Sequence, residues 1–169
     1  MKAKKHEVSR NETAEIHFEL GLELARDGHD GEAAAEFRQV VELEPGDAVA
    51  WNNLGLALAC SDDLDGAIQA YQQAISLRRE YVKAHNNLGV AYMKKGQVDW
   101  ALAHFKQALQ LDPTYPEAQT NFQHAMLHKG RFELDESAAR RLRNDFGVER
   151  FNALKKAKPG FFGRFRKKR

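Results

Sequence analysis

Cysteine is almost missing from this sequence: Cys60 is the single one in 169 residues. No internal disulfide can form from it, and no zinc site built from cysteines can be closed. Proline is scarce at four residues, and no run of alternating apolar and polar residues marks a half-buried strand, so an all-α chain is expected. Long apolar runs are lacking as well. Met1, Lys2, Ala3, Lys4 and Lys5 lead into polar residues rather than an apolar leader, and nowhere do about 18 apolar residues follow one another. A cytoplasmic protein is the expectation. There is also no phosphate-binding glycine loop, nucleophile elbow or dinucleotide fingerprint. The Asp and Glu residues fall on outer helix faces or at caps, and no paired catalytic set stands out. The chain is therefore expected to be no enzyme and to need no cofactor.

What the sequence does hold is a repeat. Residues 48–81 overlay 14–47 on one side and 82–115 on the other at a constant offset of 34, and Pro116 opens a fourth copy that decays after one helix. A fixed period of this length signals a solenoid. Gly21, Gly55 and Gly89 recur at one phase, each behind Leu20, Leu54 or Leu88, and Ala33, Ala67 and Ala101 recur twelve residues later. Small residues there let two helices approach closely. Phe37, Tyr71 and Phe105 follow the alanines by four residues and Val40, Ala74 and Ala108 follow by seven, which is one face of a helix. The aromatic is expected to wedge into the neighbouring hairpin. Pro45 and Pro113 close the first and third units, and Arg79 stands at that place in the second.

This pattern resembles the tetratricopeptide repeat, a 34-residue helix–turn–helix unit. Trp51, Leu54 and Gly55, with Tyr92, match it most closely, and the resemblance covers about 14–130; the fourth copy departs, with Gln123 for the glycine and Asp135 for the alanine. It implies a right-handed α-solenoid of antiparallel helix pairs that holds other proteins in its concave face, and it implies no chemistry. Three repeats (14–47, 48–81, 82–115) and a partial fourth (116–130) follow a flexible N-terminus over 1–13. Asp62 is available to cap the second helix of the middle repeat, and Thr114 with Glu117 has capping-box spacing. Beyond Gly130, Phe132, Leu134, Ala138, Leu142 and Phe146 form a new apolar stripe, read as a C-terminal capping helix region over 131–157.

Net charge is +2, unevenly spread: residues 1–139 carry 14 Lys and Arg against 22 Asp and Glu, while 140–169 carry 12 against 2. The last stretch, 158–169, is a basic aromatic tail in which Phe161, Phe162, Arg164, Phe165, Arg166, Lys167, Lys168 and Arg169 interleave rings with cations. Such a tail suits an anionic membrane or single-stranded nucleic acid, or self-association with the acidic repeats; a solvated tail is the plain alternative.

The sharpest candidate site is Asn53, Asn87 and Asn121, at intervals of 34 residues and two residues before the glycine phase. Stacked repeats are expected to line these carboxamides along one groove, where donor and acceptor together grip an extended peptide backbone. Helix packing is the alternative use of such a residue, and the first repeat departs, with Glu19. Phe18, Leu22, Leu56 and Val90 are expected to point inward beside Lys83, Asn52 and Asn86 and to contact a protein or peptide partner. In the resemblance, a clamp for the C-terminal carboxylate of chaperone tails would fall on Phe18, Leu22, Asn53, Lys83 and Asn87. Only Asn53 and Lys83 match that pattern, so such a clamp is not expected. His124 and His128 stand one turn apart without a third ligand and are read as a polar edge rather than a metal site. His17 and His85 share the phase of Trp51 and are read as packing residues.

Overall fold

The computed structural model describes residues 9–133. The described residues up to Phe122 belong to one compact unit and the described residues from Gln123 to a second. The described residues form α1 (Arg10–Arg26), α2 (Asp30–Leu43), α3 (Ala48–Cys60), α4 (Leu64–Leu77), α5 (Val82–Lys94), α6 (Val98–Leu111) and α7 (Pro116–Glu133), with no strand among them. Of the second unit, the described residues continue α7 to Glu133. The basic aromatic tail, residues 1–8 and all but the first three residues of the expected cap lie outside the described residues.

Local chemistry sets the helix ends. The Ser9 hydroxyl accepts from the Glu12 amide at 3.2 Å while the Glu12 carboxylate accepts from the Ser9 amide at 2.7 Å. This capping box starts α1 at Arg10, so residues 10–13 are helical rather than part of a flexible leader. Asp47 caps α3 through the Val49 amide at 2.7 Å. Asp63, not Asp62, caps α4, accepting from the Gly66 amide at 3.0 Å. Asp62 instead takes a left-handed backbone, φ 69°, at the turn where the other repeats carry Gly28 (φ 80°) and Gly96 (φ 75°). Thr114 does not join Glu117 in a capping box, because its hydroxyl donates to Asp112 at 2.7 Å. α7 also continues through Gly130, where a stop was expected.

Within each pair the glycine faces the aromatic of its own partner helix. A Cβ on Gly21 would stand 2.9 Å from the Phe37 ring, one on Gly55 2.7 Å from Tyr71, and one on Gly89 2.5 Å from Phe105. The ring therefore closes its own hairpin. All three rings are buried. Between pairs, α2 packs on α3 and α4 on α5, and α3 touches α5 directly. One strip of core thus runs from Ala14 through Val41, Leu54 and Tyr71 to Leu88 and Ala91, as expected where each repeat buries its apolar face only against its neighbours. The result is an all-α helical-repeat solenoid.

Candidate binding face

Each odd-numbered helix has three faces with different tasks. On α3, Gly55 meets α4 through Tyr71. Ala50, Leu54 and Ala57 form a buried stripe at i, i+4 and i+7. What remains is a face carrying Asn53, Leu56 and Cys60, of which Leu56 is 47% exposed and Cys60 is exposed. Lys83 on α5 is exposed, and Val90 on α5 and Leu22 on α1 are half-buried.

The asparagines do not act as three equal rungs. Asn87 donates its amide to the Asn52 side-chain oxygen at 3.1 Å, and Asn121 donates to Asn86 at 2.9 Å. Asn86 donates in turn to Asn87 at 3.5 Å. Four carboxamides thus form one relay from α7 through α5 to α3, each member supplying a donor where its neighbour supplies an acceptor. Asn52 and Asn86 are only 6% and 5% exposed. Expected as groove contacts, they have almost no surface to offer, because they satisfy the next repeat's asparagine. Asn53 differs. The residue of the first repeat that corresponds to Asn52 is Phe18, which has no polar side-chain atom, and Asn53 makes no side-chain hydrogen bond among the described residues.

Phe18 meets Phe37 edge to face, centroids 5.7 Å apart, and both Phe18 and Leu22 pack against the core. Each therefore contributes only part of its surface to the face. Lys94 donates to the Ala59 carbonyl at 3.0 Å, tying α5 to α3 beside the relay. Of the five places of a carboxylate clamp, only Lys83 supplies a cation, Asn87 is spent in the relay, and Phe18 is spent in packing. Among the described residues no group of three or more His, Cys, Asp or Glu stands close enough to hold a metal.

Reading by repeat position missed one cluster. His85 on α5 faces His104 on α6, and Tyr92 stacks on both His104 and Trp100, the latter 62% exposed. The Tyr92 hydroxyl also accepts from the Gln72 amide of α4 at 3.2 Å. Burial pushes both imidazoles below their ordinary pKa, so they are held neutral. The signal available in the sequence was the 19-residue spacing that also joins His17 to Glu36, whose atoms meet at 2.6 Å in the first repeat.

A tetratricopeptide-repeat class is what this combination of fold and period defines, and family profiles agree. Profiles described as tetratricopeptide repeat match residues 36–69 and 82–115, and one described as TPR repeat matches residues 61–96. The chain thus carries tetratricopeptide repeats over residues 36–115. Among solved structures, the TPR domain of Arabidopsis OM64 is similar at a TM-score of 0.69 and 22% identity, over 71% of this chain and 99% of that one. MamA is similar at 0.66 and 28% identity, over 69% of this chain and 68% of its own. The first TPR of Spaghetti (RPAP3), solved bound to the HSP90 peptide SRMEEVD, is similar at 0.66 and 22% identity, over 70% and 93%. No curated protein matches the sequence closely. No helix among the described residues is long and apolar enough to cross a membrane.

Proposed function

We propose that this protein is a non-catalytic interaction scaffold whose odd-numbered helices hold an extended or helical segment of a partner protein. The observation that carries the reading is the pairing of Leu56, 47% exposed, with the unengaged carboxamide of Asn53 one turn before it on α3. An apolar anchor beside a donor–acceptor pair suits a peptide that places one apolar side chain and one backbone amide group there. Lys83 supplies an exposed cation on α5, the helix that touches α3, so a ligand with an acidic residue besides its apolar anchor is favoured. The similarity to the first TPR of Spaghetti, which was solved with a peptide bound, supports peptide holding as the mode. The missing cations and the engaged Asn87 argue for a ligand other than a chaperone tail with a terminal carboxylate.

Selection of peptides from a random library on the full chain tests this. Selected peptides should share an apolar residue and an acidic one, and should lose binding to Leu56→Asp and weaken on Lys83→Glu while circular dichroism stays unchanged. Peptides that bind Leu56→Asp as they bind the parent would move the working surface away from these helices.

A further inference from the structure

The buried stripe of the odd-numbered helices has an unburied member. In α3 the stripe is Ala50, Leu54 and Ala57 and in α5 it is Ala84, Leu88 and Ala91, all at most 4% exposed. The same three repeat positions in α1 are Ile16, Leu20 and Glu23, and here Ile16 is 59% and Leu20 40% exposed. The difference has a definite source. α1 has its own partner α2, as α3 has α4 and α5 has α6, but α3 and α5 are also covered by the second helix of the preceding repeat, α2 and α4 respectively. Among the described residues nothing does this for α1.

A solenoid end that faces water needs a polar outer surface. α1 instead keeps two large aliphatic side chains at the stacking positions, where α3 carries alanine and leucine. An open hollow of about 1030 Å³ follows this face, lined by α1 residues that include Glu15, Ile16, Glu19, Leu20 and Glu23. Among its described lining residues four glutamates, Glu12, Glu15, Glu19 and Glu23, outnumber one cation, Arg26, and Glu15, Glu19 and Glu23 form no ion pair among the described residues.

We propose that this face is a second docking surface, distinct from the Leu56 face, and that its occupant is a basic amphipathic helix of a partner protein. The occupant is a helix because a helix covers the equivalent stripe on α3 and α5. Its flanks are basic because Glu15, Glu19 and Glu23 border the apolar pair; lysine or arginine there gains attraction, whereas an acidic helix meets like charge. A second copy using its own α1 would set these glutamates against themselves, so symmetric pairing through α1 is disfavoured.

The test uses a synthetic peptide of the α4 sequence, Leu64–Leu77, made basic by D65K, Q69K, Q72K and Q73K, against an acidic control carrying Q69E, Q72E and Q73E. Binding to the full chain is followed by fluorescence anisotropy. The basic peptide should bind at least about tenfold tighter than the acidic one, and the margin should shrink as salt rises. Ile16→Ser/Leu20→Ser should cost the basic peptide about tenfold or more, since two exposed aliphatic anchors are removed without touching the core. Glu15→Lys/Glu19→Lys/Glu23→Lys should invert the preference. Peptides selected on the Leu56 face should bind all these variants as they bind the parent, so a failure here is distinguishable from a failure of the scaffold reading. Equal binding of both peptides, binding of neither, or binding indifferent to Ile16→Ser/Leu20→Ser would overturn the proposal.

Discussion

His85 and His104 meet end to end. Their Nδ1 atoms are 3.4 Å apart, the ring centroids 5.7 Å apart and the planes only 27° from parallel, so the two rings lie almost in one line with Nδ1 aimed at Nδ1. The other nitrogen of His85, Nε2, donates to the Arg79 carbonyl at 3.1 Å. Neutral His85 therefore presents a bare Nδ1 lone pair, and neutral His104 carries its proton on Nδ1 and donates it. The corresponding residues are His17 and Glu36, in hydrogen-bond contact in the first repeat, and Trp51 with Ala70 in the second.

This pair makes the third repeat sensitive to acid. Burial holds both pKa values below the ordinary histidine range, so below about pH 6.5 the unfolded chain binds protons that the folded chain refuses. The contribution to stability is complete above that pH, is lost as pH falls through the window, and levels off once the folded pair is itself protonated. The urea midpoint should be lower at about pH 5.5 than at about pH 7.5, and His104→Gln should reduce that difference. An undiminished difference in the variant would place the sensitivity elsewhere.

The glycine–ring contacts rank three substitutions. An added Cβ would stand 2.5 Å from Phe105 at Gly89, 2.7 Å from Tyr71 at Gly55 and 2.9 Å from Phe37 at Gly21. Overpacking of this kind costs about 1–3 kcal/mol, against roughly 1 kcal/mol of helix propensity gained by alanine. Gly89→Ala should be the most destabilising and Gly21→Ala the least, as read from denaturant midpoints.

The two kinds of asparagine should separate in one pair of variants. Asn86→Ala removes a buried carboxamide that accepts from Asn121 and donates to Asn87. It leaves polar groups without partners and should cost about 1–3 kcal/mol. Asn53→Ala, which breaks no side-chain hydrogen bond among the described residues, should stay within about 0.5 kcal/mol of the parent and show its effect in peptide binding. Equal losses of stability would mean that Asn53 is also a packing residue.

Asp62 carries the backbone conformation that Gly28 and Gly96 carry at the same turn of the other repeats. A left-handed conformation costs a non-glycine residue about 1–2 kcal/mol, less for Asp than for most, and glycine recovers part of it while losing chain entropy. Asp62→Gly should therefore raise the urea midpoint modestly, and Asp63→Ala, which removes the cap of α4, should lower it, corresponding to a loss of about 1 kcal/mol of unfolding free energy.

By itself the sequence determined the period, the helix pairs and the close approach of glycine to its partner helix, because these depend on residue size and spacing along one or two neighbouring helices. Even the early start of α1 was written in Ser9 and Glu12, three residues apart, though apolar periodicity alone passed over it. Tertiary structure alone decided which asparagines are free. Asn53, Asn87 and Asn121 hold the same place in their repeats, yet a carboxamide is engaged or unengaged according to what the preceding repeat sets opposite it, and Phe18 stands where Asn52 and Asn86 stand later. The same holds for Ile16 and Leu20. Their apolar chemistry matches the stacking stripe of the other odd-numbered helices of the repeats, but no helix among the described residues covers them, so they stand exposed with apolar area that can still be buried on a partner.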